Sequence, residues 1–187
     1  MPYIATNQAS STASEGNWHD SMSAMPNFPT TSASPSRSAF TAHIFGWAYA
    51  LNDEFDGAIQ FDHDCVPGST LNCHIHFAFA SQPTEASKLQ FEVYYSYAKI
   101  DGTFSETGPV YYEYVVQAAD AKVHRVRTLF SITADATSPQ SGAVAVHVKR
   151  VAKSAGGVEC DVNPHIFFCD SHYQSRTAGG TLAELGP

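Results

Sequence analysis

Residues Phe61–Ser81 read F-D-H-D-C-V-P-G-S-T-L-N-C-H-I-H-F-A-F-A-S. A charged turn, Asp62-His63-Asp64, leads through Pro67-Gly68 into an alternating run. At period two, Leu71, Cys73, Ile75, Phe77 and Phe79 point one way, and Asn72, His74, His76, Ala78 and Ala80 point the other. The pattern predicts a half-buried strand with both imidazoles on one face, roughly 6.5–7 Å apart along it.

From Phe40 onward the chain repeats this pattern. Strands are expected near 41–50, 56–62, 71–80, 88–98, 110–117, 123–133, 142–151 and 163–173. Turn signals separate them at Asn52-Asp53, Pro67-Gly68, Asp101-Gly102, Gly108-Pro109, Ser138-Pro139 and Gly156-Gly157. No segment holds a 3.6-residue apolar period over three turns, and 118–122 (A-A-D-A-K) amounts to a helical turn at most. The expected fold is all-β, an antiparallel two-sheet sandwich of the eight-stranded jelly-roll kind, over residues 39–187.

Residues 1–38 are different material, rich in Ser, Thr, Ala, Asn and Pro. The composition is that of a flexible or extended N-terminal arm. Trp18, Met22, Met25 and Phe28 are spaced through it, with prolines at 26, 29 and 35. Large apolar residues on such an arm suggest a segment that orders against a partner surface, with these four as the contact residues.

The 187 residues carry 18 acidic and 10 basic side chains, a formal charge of −8. Nucleic-acid footprints are basic, so no direct DNA or RNA binding is expected. The start, Met1-Pro2-Tyr3-Ile4-Ala5, has no basic segment followed by an apolar run, and no stretch approaches the roughly 18 apolar residues of a membrane helix. The expectation is a soluble protein made in a cytoplasm. Cys65, Cys73, Cys160 and Cys169 form no C-x-x-C, and most are expected to be reduced structural thiols. Lys149, Arg150 and Lys153 make a small basic cluster expected to cover a strand end.

Aromatic residues make up 12% of the chain, and Tyr94, Tyr95, Tyr97, Tyr111, Tyr112 and Tyr114 fall on two expected strands. Neighbouring residues of a strand face opposite sides, so some of these rings leave the core. Tyrosine of this kind is enriched at subunit interfaces, which points to an oligomer.

No G-x-S-x-G, P-loop or H-E-x-x-H pattern is present. Cys169 and His172, three apart on one strand, fall on opposite faces and make no nucleophile pair. His74 and His76 read as a solvent-facing or hydrogen-bonded pair, as ligands to a divalent first-row metal, or as a pH-responsive interface cluster. Asp62, His63 and Asp64 stand close enough in sequence to contribute, though such turn residues ordinarily cap and solubilise.

Gly68, His74 and His76 satisfy G-x-x-x-x-x-H-x-H, which resembles the first half of the cupin metal motif. The Glu that follows in that family is absent, since Ala80 and Ser81 stand there, and Asn163-Pro164-His165 does not reproduce its second motif. The stretches His63–Phe77 and Lys88–Phe104 resemble a recurrent pattern in tailed-bacteriophage virion proteins. In that pattern a turn and a G-[S/T] step lead to H-[I/V]-H-[W/F]. A strand of the type x-L-x-F-x-x-x-Y, closed by an Asn/Asp-Gly turn and Phe, follows. Here Asp62 replaces the usual Pro before the first His, and Cys73 stands where Pro is common.

This resemblance implies a non-enzymatic capsid decoration or cement protein: a jelly-roll homotrimer on the capsid surface of the virion, bound to the major capsid protein. On this model His74 and His76 line an intersubunit contact or lie near the trimer axis. Read from the residues alone, His74, His76 and His63 are the candidates for a subunit interface or a divalent-metal site, and no other cofactor is expected. The alternatives are a phage tail or fibre receptor-binding component, a cupin-like metal-dependent enzyme, and a stand-alone carbohydrate-binding or other β module.

Overall fold

Alternation builds the strands. In Lys88–Lys99, Leu89, Phe91 and Val93 are fully buried while Lys88, Gln90 and Glu92 between them are half-buried. Gly142–Val151 repeats the pattern with Val144, Val146 and Val148. A computed structural model of the chain describes residues 17–22, 34–61, 65–117, 119–134 and 142–175. Among them are ten strands and no helix: β1 (Asn17–Met22), β2 (Ser36–Ala39), β3 (Phe45–Ala48), β4 (Glu54–Phe61), β5 (Thr70–Phe79), β6 (Lys88–Lys99), β7 (Ser105–Val115), β8 (Arg125–Thr133), β9 (Gly142–Val151) and β10 (Pro164–Ser175).

One sheet runs β2-β3-β10-β5-β8 and the other β4-β9-β6-β7, with all strand pairs antiparallel. The pairs β6–β7, β5–β8, β4–β9 and β3–β10 form one long hairpin with its tip at β6–β7. Successive pairs of that hairpin alternate between the two sheets. This is the jelly-roll path expected from the sequence, with β1 and β2 added to its eight strands. β3 meets β10 near its start, at His165, and β1 takes the same edge farther along, from Asp170 to Ser175.

Between the sheets lies one apolar core. The first sheet contributes Leu71, Cys73, Ile75, Phe77 and Phe79 from β5, Phe130 from β8, and Ile166, Cys169 and Tyr173 from β10. Phe55, Ile59, Leu89, Phe91, Val93, Tyr114, Val144, Val146 and Val148 face them from the second. Phe77 makes edge contacts with Phe91 and Tyr114, and Tyr95 stacks on Phe130 at 4.0 Å, tying the sheets together through aromatic pairs. All four cysteines are buried, and none is joined to another in a disulfide. The tyrosines divide as the alternation requires: Tyr114 is buried, whereas Tyr111 is exposed and donates its hydroxyl to Glu92 at 2.8 Å.

Three features differ from the sequence expectation. The single strand placed at 41–50 is the end of a hairpin, β2–β3, turned over residues 40–44. Thr41 Oγ1 accepts the Ile44 N–H there, a local bond that competes with a continuous ladder. The boundary drawn between residues 38 and 39 therefore falls inside β2. Trp18 and Met22 belong to β1, while Met25 and Phe28 lie outside the described residues. β7 begins five residues earlier than expected, carried past Gly108-Pro109 by a bulge opposite Val93 and Tyr95. Gly108 sits there at φ +138, where a Cβ would lie 2.8 Å from the Val93 carbonyl oxygen.

The third difference is Arg150, expected to cover a strand end. It is buried, donating to the Tyr49 carbonyl at 2.8 Å, to Asn163 Oδ1 at 2.7 Å and to the Cys160 carbonyl at 2.7 Å. It thereby fastens β9 to the segments before β4 and before β10. Arg150→Met strands two carbonyls and is expected to cost about 3 kcal/mol. The corresponding fall in melting temperature is about 6–12 °C for a chain of this size. Thermal melts followed by circular dichroism measure it, and a melting temperature unchanged from wild type would refute the assignment.

Candidate functional site

β5 and β10 pair at the centre of their sheet, and their register brings residues of one face side by side: His76 opposite Phe168, His74 opposite Asp170, Asn72 opposite His172. The opposite face of both strands lies in the core. A bulge between Ile166 and Phe168 leaves Phe167 outside the register and resets β10, so that Phe168, Asp170 and His172 align with the histidines of β5. Phe168 stacks on His76 at 4.2 Å, and Phe167 lies edge-on to His124 at 6.2 Å.

Asp170 is the hub. Its Oδ1 lies 3.5 Å from His74 Nδ1, and its Oδ2 lies 3.0 Å from His76 Nε2 and 3.9 Å from His172 Nε2. The rings of His74 and His172 meet edge to face at 4.1 Å. His76 Nδ1 reaches His124 Nε2 at 2.9 Å, extending the cluster to the segment before β8. The cluster is closed from solvent, with His74 1% exposed, Asp170 3%, His76 7% and His172 8%.

Burial alone would push the Asp170 carboxyl up, but hydrogen bonds from His74 and His76 and the charges of His76 and His172 outweigh it, bringing the group down to about 2. Asp170 is therefore a buried carboxylate that stays ionised because imidazoles surround it. His124 moves below its usual range, first because burial disfavours its cation and second because His76 stands beside it, with Asp170 pulling weakly the other way. On the core side of the same strands, burial pushes the Cys73 and Cys169 thiols well above their ordinary range. Neither thiol is set up as a nucleophile.

The shared face of His74 and His76 read from the alternation is present, and both imidazoles engage residues of their own chain. His63 lies outside the described residues, as do Asp62 and Asp64. Asp170 and His124 were not singled out from the sequence, and His172 was weighed only against Cys169. The signal for two of them is visible in retrospect: D170-S-H172 repeats at period two what H74-I-H76 does, on a strand of matching apolar alternation. His124 carries no such signal, because a loop brings it in.

A second, open feature lies on the other sheet. Asp56, Tyr94, Tyr95, Glu106 and His147 line a groove of about 240 Å³, in which His147 Nδ1 lies 2.9 Å from Asp56 Oδ1.

No family model matches the sequence, and no curated protein matches it. Among solved structures, the chain is similar to a xylan-binding module, CBM15, at 12% identity over 89% of this chain and 96% of that one, with a TM-score of 0.34. It is also similar to TmCBM61 in complex with beta-1,4-galactotriose, at 9% identity over 88% and 97% of the two chains, TM-score 0.30. Likeness of this degree carries no argument about function, and the sandwich rests on the strand pairing itself.

Because the folded pKa of Asp170 lies below the roughly 3.9 of a free Asp, its contribution to stability is complete above about pH 4 and disappears as pH falls towards 2. Asp170→Asn should accordingly lose about 2 kcal/mol at neutral pH, with the difference from wild type closing below about pH 4. Urea denaturation across that range measures it. A difference that does not vary with pH would mean that the carboxylate charge is not what matters.

Proposed function

We propose that this protein is a non-enzymatic structural component of a tailed-phage virion, a decoration or cement protein that binds the major capsid protein of the head shell. The observation that carries the reading is where the chemistry sits. The densest cluster of titratable groups among the described residues is enclosed by the domain, so it acts on the fold and not on a substrate. A catalytic group must meet its substrate, and a cupin-like enzyme would need that cluster open to a cleft.

The stretches that carry the virion resemblance occupy defined places in the jelly roll. H74-I-H76 lies on central strand β5, and D101-G102-T-F104 closes the β6–β7 hairpin. Ile100 and Phe104 at that hairpin are 51% and 52% exposed. They border an open groove of about 300 Å³ shared with Gln60, Lys99 and Ala143. An exposed apolar pair at a hairpin beside a groove supports docking against a neighbouring protein surface. The capsid subunit is the partner that the resemblance implies.

Antibodies raised against the purified chain should label the heads of intact particles in electron micrographs, and light scattering should give a mass near three times 20.2 kDa. Exchanging Ile100 and Phe104 together for Asp should leave the melting temperature close to wild type while reducing retention on emptied capsid shells at least about tenfold. Labelling confined to tails or fibres would transfer the protein to a receptor-binding role. Unlabelled particles would refute a virion role altogether.

A further inference from the structure

The cluster on β5 and β10 has the composition and spacing of a metal centre. One donor atom each from His74, Asp170 and His172 falls within a span of 4.8 Å. Imidazole nitrogen and carboxylate oxygen are the ligands that borderline divalent ions of the zinc type prefer. At bond lengths of about 2.0–2.2 Å, two donors of a tetrahedral ion stand about 3.4 Å apart. Asp170 faces the two imidazoles through different oxygens, Oδ1 3.5 Å from His74 Nδ1 and Oδ2 3.9 Å from His172 Nε2, so a bound ion draws the three donors closer than their present 4.8 Å span.

Charge points the same way. Asp170 is 3% exposed, and the basic groups ion-paired to its carboxyl group among the described residues are imidazoles, with no arginine or lysine. A divalent ion between Asp170 and the two imidazoles adds a full cation where only imidazoles now face the carboxyl group. The surroundings are also arranged to hold the carboxylate. His76 Nε2 lies at hydrogen-bond distance, 3.0 Å, from Oδ2, and His76 Nδ1 lies 2.9 Å from His124 Nε2. His124, His76 and Asp170 thus stand in line, the first two joined through ring nitrogens and the last two in ion-pair contact. That places two histidines behind the ligand carboxylate, in the position of the outer support that metal ligands characteristically have.

We propose that His74, Asp170 and His172 bind one divalent zinc-type ion that ties β5 to β10, with His76 and His124 as positioning residues and a water as fourth donor. The ligand set differs from the H-x-H pair alone, since His76 stands behind the carboxylate and not on the ion. The inference is independent of the virion reading: a metal centre is compatible with a failed capsid-binding experiment, and the reverse also holds.

The test uses the full chain without a histidine tag, stripped with chelator and titrated with Zn²⁺ alone by calorimetry, with metal content read by mass spectrometry. One Zn²⁺ per chain is expected, with a melting temperature that rises with Zn²⁺ and falls back with chelator. Co²⁺ in its place should give the visible absorption of a tetrahedral nitrogen–oxygen site. His74→Ala and His172→Ala should abolish stoichiometric binding. His76→Gln should retain one ion per chain at about 10- to 100-fold lower affinity. His147→Ala, on the other sheet beside Asp56, should change nothing. If either ligand variant fails to fold, the wild-type Zn²⁺-dependent melting shift and the Co²⁺ spectrum still decide. Absence of both, or binding that survives His172→Ala, or binding lost in His147→Ala, overturns the proposal.

Discussion

The antiparallel pairing of β5 with β10 places two long strands at the centre of one sheet and buries them on both faces. On one face the burial is the ordinary one: Ile75, Phe77, Cys169 and Tyr173 close against the second sheet. On the other, the same register stacks His74 on the level of Asp170 and His76 on that of Phe168. A slip of one residue would send every side chain to the wrong face, moving imidazoles into the core and phenylalanines out. The core thus sets the register and the register sets the cluster, so the geometry around Asp170 is inherited from hydrophobic packing elsewhere.

The two faces solve burial by different physics. Between the sheets, apolar area leaves water and aromatic edges interlock, without a requirement for exact partners beyond shape. Around Asp170, stability depends on mutual compensation: the carboxylate remains charged because imidazoles point at it. Arg150 is the same kind of solution at another place, a buried cation accepted because two carbonyls and an Asn receive its hydrogens and the Glu159 carboxylate lies 3.4 Å away. Such sites define one arrangement of the chain sharply, because any shift leaves a polar group without a partner.

A jelly roll built in this way keeps its titratable cluster inside and leaves several apolar side chains outside. The enclosed cluster can hold the sheet together, whereas the β6–β7 hairpin with Ile100 and Phe104 and the exposed ring of Tyr111 face solvent. Edge strand β2, only four residues long, and the short β3 beside it limit the open ladder available for unwanted strand addition.

Much of this was legible in the sequence because alternation is a local property. Leu89-x-Phe91-x-Val93 and Val144-x-Val146-x-Val148 announce strands without reference to anything else, and His74 and His76 share a face for the same reason. The turn between β2 and β3 was missed because Thr41-Ala42-His43-Ile44 carries no glycine or proline and turns through a side-chain oxygen. The cluster itself was decided only by tertiary structure. Asp170 and His172 lie some hundred residues from His74, and their alignment depends on a bulge at Phe167 and on which strand neighbours which. Pairing partners are chosen by the global packing of the sandwich, so no local pattern in the chain could specify that three imidazoles would converge on one buried carboxylate.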